Sequence, residues 1–237
     1  MVKTFFVASW PEQQKTLLQL LHESHAHADF YFLLALSAFI STLGLITDDA
    51  GVTVGGIFIA PILFPLLSLA MGMVTMSALA IGRALKIILK SSALVFTVSL
   101  VTAFCFSDNV VGEEILLRIR PDLIMFLIAL ASGLAVAYSW VKQDLSAALP
   151  GLAVSVSLLP PLSAAAIGVA MMNRLVISGA LTMFFMNLGA TIVGAIIVFS
   201  IYGFSRLQRE EEEKIAEEKY EDRVRHDALR QAGANKI

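Results

Sequence analysis

This chain of 237 residues reads as an all-α polytopic membrane protein, with six transmembrane helices forming an inverted 3+3 repeat whose second and fifth helices are broken by proline. Three observations predict this fold class. Hydrophobic residues make up 57% of the chain and charged residues 15%, far from the balance of soluble domains. The charges are almost absent from six apolar runs, at roughly 30–47, 52–76, 88–106, 122–140, 147–172 and 175–204, each long enough to cross about 30 Å of hydrocarbon as a helix. Two of these runs are edited copies of one another, each carrying proline near its centre.

Taken in chain order, residues 1–29 form a cytoplasmic N-terminal segment. Met1 to Trp10 has one lysine and a brief apolar stretch, unlike a cleavable signal peptide. Ser9-Trp-Pro-Glu12 fits a capping box with proline in the first turn, so a helix begins near Trp10. Its leucines at 17, 18, 20 and 21 lie opposite Gln14 and Lys15, which suits an amphipathic helix at the membrane interface. His22, His25 and His27 follow with a spacing that matches no specific metal motif.

The transmembrane domain spans 30–204, with repeat halves at about 30–106 and 122–204. The first and third runs are short, so they extend a few residues into the interface or stand nearly upright, whereas the second, fifth and sixth are long enough to tilt or break. The second run contains Gly55-Gly-Ile-Phe-Ile-Ala-Pro61-Ile-Leu-Phe-Pro65 and the fifth Gly151-Leu-Ala-Val-Ser-Val-Ser-Leu-Leu-Pro160-Pro161. Sliding one by 96 positions superposes Gly55 on Gly151, Leu63 on Leu159, Pro65 on Pro161 and Gly72 on Gly168; Leu66, Ala70 and Met76 also meet identical residues. The same shift carries the first run onto the fourth, giving three crossings per half. An odd number of crossings per half inverts the second copy relative to the first. Ala164 with Gly168, and Ala190 with Gly194, are spaced for close helix contact, either within a protomer or between protomers of a homo-oligomer. The single cysteine, Cys105, reads as a small apolar helix residue.

Six crossings put both ends of the chain on one side, together with the 77–87 and 141–146 loops. Lys3, Lys15, Arg83, Lys86, Lys90 and Lys142 lie on that side, and Arg118, Arg120 and Arg174 on the other. The excess of basic residues places both termini in the cytoplasm. Residues 205–237 are highly charged, and favourable pairs such as Glu210–Lys214 predict a solvated helix extending the sixth crossing into the cytosol, with a tail after it.

Proline has no amide hydrogen and clashes with the carbonyl one turn back, so it frees backbone acceptors inside a membrane helix. Paired interrupted helices of this kind point to a substrate or ion site near the midplane. The candidate site residues are Pro61, Pro65, Pro160 and Pro161, which break the helices, with Ser68, Ser157, Ser163 and Asn187 as lining groups. Asn187 is the one carboxamide within an apolar run, so it serves either as interhelical glue or as lining. No Asp, Glu, Lys or Arg lies at mid-depth in any run, which argues against proton coupling through a buried membrane carboxylate. Asp48, Asp49 and Asp122 sit at the outer interface, as a cation-attracting vestibule or as solvated loop carboxylates.

The segments Gly56-Ile-Phe-Ile-Ala-Pro61-Ile-Leu-Phe-Pro65 and Val156-Ser-Leu-Leu-Pro160-Pro161-Leu, followed by Asn187-Leu, resemble the DUF389 family of prokaryotic hydrophobic membrane proteins over about residues 30–204. The resemblance implies a multi-pass protein of a prokaryotic cytoplasmic membrane without a cofactor, and it brings no assigned function. The residues themselves lead to a secondary transporter or channel-like protein for an ion or small polar solute. Its partners are the lipid bilayer, that solute and a homo-oligomeric copy, with no nucleic acid. The alternative is a non-transporting membrane assembly, scaffold or lipid-binding protein. No His-Glu-x-x-His, Gly-x-Ser-x-Gly or paired intramembrane aspartate is present, so no enzyme is expected.

Overall fold

A computed structural model describes residues 10–23, 27–107, 110–142, 148–208 and 211–217. Every regular element among them is helical. In chain order these are α1 (Trp10–Glu23), α2 (Ala28–Ile46), α3 (Ala50–Ile57), α4 (Leu63–Thr75), α5 (Ala78–Phe106), α6 (Glu113–Leu117), α7 (Leu123–Val141), α8 (Ala148–Ala170) and α9 (Arg174–Ile201), followed by a 3-10 turn at Phe204–Arg206. Four of them, α2, α5, α7 and α9, are long and apolar enough to cross a membrane. Large apolar side chains such as Phe32, Phe104, Leu123 and Phe185 stand on the outside of the bundle. Such exposure fits a lipid environment and would be a liability in water.

Helix pairs in lipid gain little from the hydrophobic effect, so contact depends on how closely backbones approach. On α7 and α9, Gly133 faces Thr191, and Gly194 faces Leu130 and Leu134; an added Cβ at either would come closer than 3.0 Å to backbone atoms. Ala190 and Ala164 are likewise buried. The small-residue spacing that left open a contact within or between protomers is therefore used inside this chain.

Three tight corners repeat one local design. Gly44, Gly72 and Gly168 each precede by four residues a left-handed residue, Asp48, Met76 or Met172. The next residue, Asp49, Ser77 or Asn173, caps the following helix with its side chain and donates its own N–H back to the glycine carbonyl at 2.9–3.0 Å. This is the six-to-one bond of a Schellman ending. Each glycine lies under the first turns of the next helix, where a Cβ would approach Thr53, Ala80 or Val176 closer than 3.0 Å. The second and third corners are 96 residues apart, the same interval as the sequence copies.

Several expected boundaries move. The third run occupies only the second part of α5, whose 29 residues rise about 43 Å. Arg83, Lys86 and Lys90 therefore lie on a helix and not in a 77–87 loop, as long side chains at a membrane boundary commonly do. The chain after α9 does not continue as a solvated helix. It turns at Gly203, whose φ is 77°, and folds back so that Phe204, Leu207 and Ile215 share one core with Leu17, Leu20 and Leu21 of α1. Gln13 Nε2 donates to the Tyr202 carbonyl at 2.8 Å, joining α1 to the end of α9. His25 and the His22 side chain, like the tail beyond 217, lie outside the described residues.

The glycine contacts predict that Gly133→Ala and Gly194→Ala each destabilise the bundle by about 1–3 kcal/mol through overpacking. Gly55→Ala and Gly189→Ala, where nothing lies within 4 Å, should be neutral or gain up to about 1 kcal/mol of helix propensity. Denaturant titration of the four variants in mixed micelles checks the contrast.

Candidate functional site

The two proline segments reach different conformations. In the first, α3 ends at Ile57 and α4 begins at Leu63, with Pro61 between them. The Ile57 carbonyl, which Pro61 cannot serve, receives the Ala60 N–H at 3.0 Å instead. Pro65 is the third residue of α4, where amide hydrogens have no intrahelical partner, so it fits the helix start and breaks nothing. The two pieces, 8 and 13 residues long, rise about 12 and 20 Å, so neither alone would span about 30 Å of hydrocarbon.

The second segment is not broken, contrary to the sequence expectation: α8 runs through Pro160 and Pro161 without interruption. The physical reason lies on α9. Pro161 has no N–H to give the Ser157 carbonyl four residues back, and Asn187 Nδ2 donates to that carbonyl at 2.8 Å. The freed acceptor is satisfied from a neighbouring helix, and the helix holds. Asn187 is only 1% exposed. Because its amide nitrogen is committed to Ser157, its Oδ1 faces the other way, and it meets no donor among the described residues.

Counted from the helix caps Ser77 and Asn173, the residue that corresponds to Asn187 is Ser91. It too is fully buried, and its hydroxyl lacks a partner among the described residues. A serine is too short to reproduce the amide's reach, and the first segment is the one that opens.

The remaining candidates divide into two groups. Ser163 belongs to a buried row across three helices: Thr42 Oγ1 of α2 lies 2.8 Å from Ser99 Oγ of α5, which lies 2.9 Å from Ser163 Oγ of α8. The Ser37 and Ser41 hydroxyls of α2 are buried and unpaired among the described residues. Ser68 is buried on α4, and among the described residues no hydrogen bond joins it to this row. Sequence reasoning missed Thr42, Ser99 and Ser91, although α5 carries Ser91, Val95, Ser99 and Thr102 at helical spacing on its buried face.

The outer acids have structural work. Asp49 Oδ1 accepts from the Val52 N–H at 3.0 Å and Asp122 Oδ1 from the Met125 N–H at 2.8 Å, each capping a helix. Asp48 Oδ1 accepts from the Glu114 N–H at 2.7 Å, tying the α2–α3 corner to α6. All three are therefore engaged by backbone donors, which accounts for them without a cation vestibule. No group of three or more potential metal ligands occurs among the described residues.

Several apolar helices around a buried polar row define the class, a helical membrane protein. The chain belongs to the DUF389 family, a domain of unknown function, whose profile matches residues 57–203. That range contains both proline segments and Asn187. An uncharacterized protein of Methanocaldococcus jannaschii is 27% identical over 180 residues, covering 73% of this chain and 54% of that protein. The chain thus spans about half the length of the curated relative it matches. No solved structure matches it.

The hydroxyl row predicts that Ser99→Ala, which severs its middle, costs about 1 kcal/mol. Ser178→Ala, which removes an exposed hydroxyl with a 3.4 Å contact, should cost nothing measurable. Thermal unfolding of the two variants in the same detergent separates them.

Proposed function

We propose that the chain is a non-enzymatic secondary transporter or channel-like protein of a prokaryotic cytoplasmic membrane, moving an ion or small polar solute. The observation that carries this reading is a set of buried oxygens without a partner among the described residues, Asn187 Oδ1 and the hydroxyls of Ser37, Ser41 and Ser91, inside a largely apolar bundle. Unpaired polar atoms there are costly and call for a polar guest such as water, an ion or a solute. The interruption at Pro61 adds non-helical backbone at membrane depth, which is tolerated where it is buried in protein or lines a cavity.

On this reading α2, α3–α4 and α5 form one half, and α7, α8 and α9 the other, six crossings in all. The matching corners at Gly72–Ser77 and Gly168–Asn173 support the inverted repeat. The contact of Gln13 with Tyr202 and the weight of basic residues on that side support two cytoplasmic termini. Lining falls to Ser157, Ser163 and Asn187, with Ser68 on the α4 side.

The test is thiol access in a Cys105→Ser background, since Cys105 is exposed. Ser68→Cys, Ser163→Cys and Asn187→Cys should react with membrane-impermeant thiol reagents from at least one face of a vesicle. If none reacts from either face, the transport reading fails and the non-transporting assembly or lipid-binding alternative takes its place.

A further inference from the structure

One acid in the described structure has no part in the polar row and lies outside the membrane helices. Glu211 is fully buried, in the segment that returns over the cytoplasmic end of the bundle. One carboxylate oxygen, Oε2, is hydrogen-bonded to Thr75 Oγ1 in the last turn of α4, and the other, Oε1, has no partner among the described residues. Three residues earlier, Gln208 Nε2 donates to the Met76 carbonyl at 3.3 Å. Two side chains of this segment thus grip the α4–α5 corner.

The proton inventory at Thr75 is one short for an ionised carboxylate. Its hydroxyl lies 3.1 Å from the Met71 carbonyl and 3.2 Å from the Gly72 carbonyl, besides Glu211. One hydroxyl proton faces three acceptors. A buried carboxylate stays ionised only with a charge partner or several donors, and Glu211 is offered one shared hydroxyl. With a proton on Glu211, its O–H donates to Thr75 Oγ1 and the threonine proton is free for Met71.

We propose that Glu211 is the proton-binding residue of a cytoplasmic latch: protonated, it holds the segment after α9 on the α4–α5 corner, and ionised, it releases that segment. The groups packed around it agree. No residue of α4 titrates. On α5, Arg83 is half-buried and Lys86 exposed, and on α1 Glu12 and Lys15 are exposed while Gln13 and Thr16 turn inward. Lys214 is held by Glu217 at 2.7 Å. The charged neighbour that acts on Glu211 is Glu212. Burial pushes the Glu211 carboxyl up to about 7, Thr75 pulls it down, and Glu212 adds to the rise.

The raised value fixes the direction of the switch. Released, the group returns to its ordinary 4.5, so docking is strongest below that pH, weakens as pH climbs toward about 7, and levels off above it. Because α4 joins α3 only through residues 58–62, a grip on its far end restrains this half-helix. The latch stands whether or not the protein transports anything.

Hydrogen exchange of amides 207–217 in the full-length protein in nanodiscs tests it, each variant being compared with wild type at the same pH so that intrinsic exchange cancels. Glu211→Gln, a neutral isostere, should match wild type near pH 4 and be protected roughly tenfold or more above it near pH 8. Thr75→Val removes the oxygen that the protonated carboxyl grips, so amides 207–217 should lose protection relative to wild type near pH 4. The latch is overturned if Glu211→Gln and wild type keep one ratio at both pH values, if Glu211→Gln is the less protected near pH 8, or if Thr75→Val is as protected as wild type near pH 4.

Discussion

The bundle turns on one carbonyl. Pro161 leaves the Ser157 oxygen without its helical donor in a place where water is scarce, and the Asn187 amide fills the vacancy from α9. Three consequences follow from this bond. The helix α8 continues past the amide that Pro161 lacks. It is tied to α9 by a directional contact, where apolar packing alone would allow sliding. The amide oxygen is also turned away from Ser157, leaving a buried acceptor in a fixed direction. Flipping the amide would set Oδ1 against the Ser157 oxygen and strand two donors, so the orientation follows from the hydrogen-bond network.

The two halves show what that bond is worth. Both carry proline at equivalent places, Pro65 and Pro161, and both end in the same glycine corner with a left-handed methionine, Met76 or Met172. Where Asn187 stands on α9, α5 has Ser91. The half with the amide keeps a continuous helix, and the half with the serine is divided into α3 and α4. The second proline segment is thus one stiff element and the first a jointed one.

Much of this was legible in the residues. Apolar runs marked α2, α7 and α9 to within a few positions, because charge exclusion over nearly twenty residues is a strong signal. The prolines and Asn187 stood out because they are costly in lipid. What could not be read was their mutual contact: Ser157 and Asn187 lie 30 positions apart, and no local pattern pairs an asparagine with a particular carbonyl. The same limit hid the burial of Glu211. A run of glutamates looks solvated, and only the turn at Gly203 brings one of them against Thr75 at the end of α4. The work of Asp49 and Asp122 was hidden for a different reason, since a carboxylate at a helix start serves as a cap as readily as an ion ligand, and sequence shows only its position.

The pairing of Pro161 with Asn187 is the claim to test first, by a double-mutant cycle on unfolding free energy. Asn187→Leu in the wild-type background should cost about 1–2 kcal/mol, because it strands the Ser157 carbonyl. Pro161→Ala restores an N–H to that carbonyl, so the same Asn187→Leu change should then cost close to nothing, giving a coupling energy of about 1–2 kcal/mol. An equal cost in both backgrounds would contradict the account and reduce Asn187 to ordinary interhelical packing.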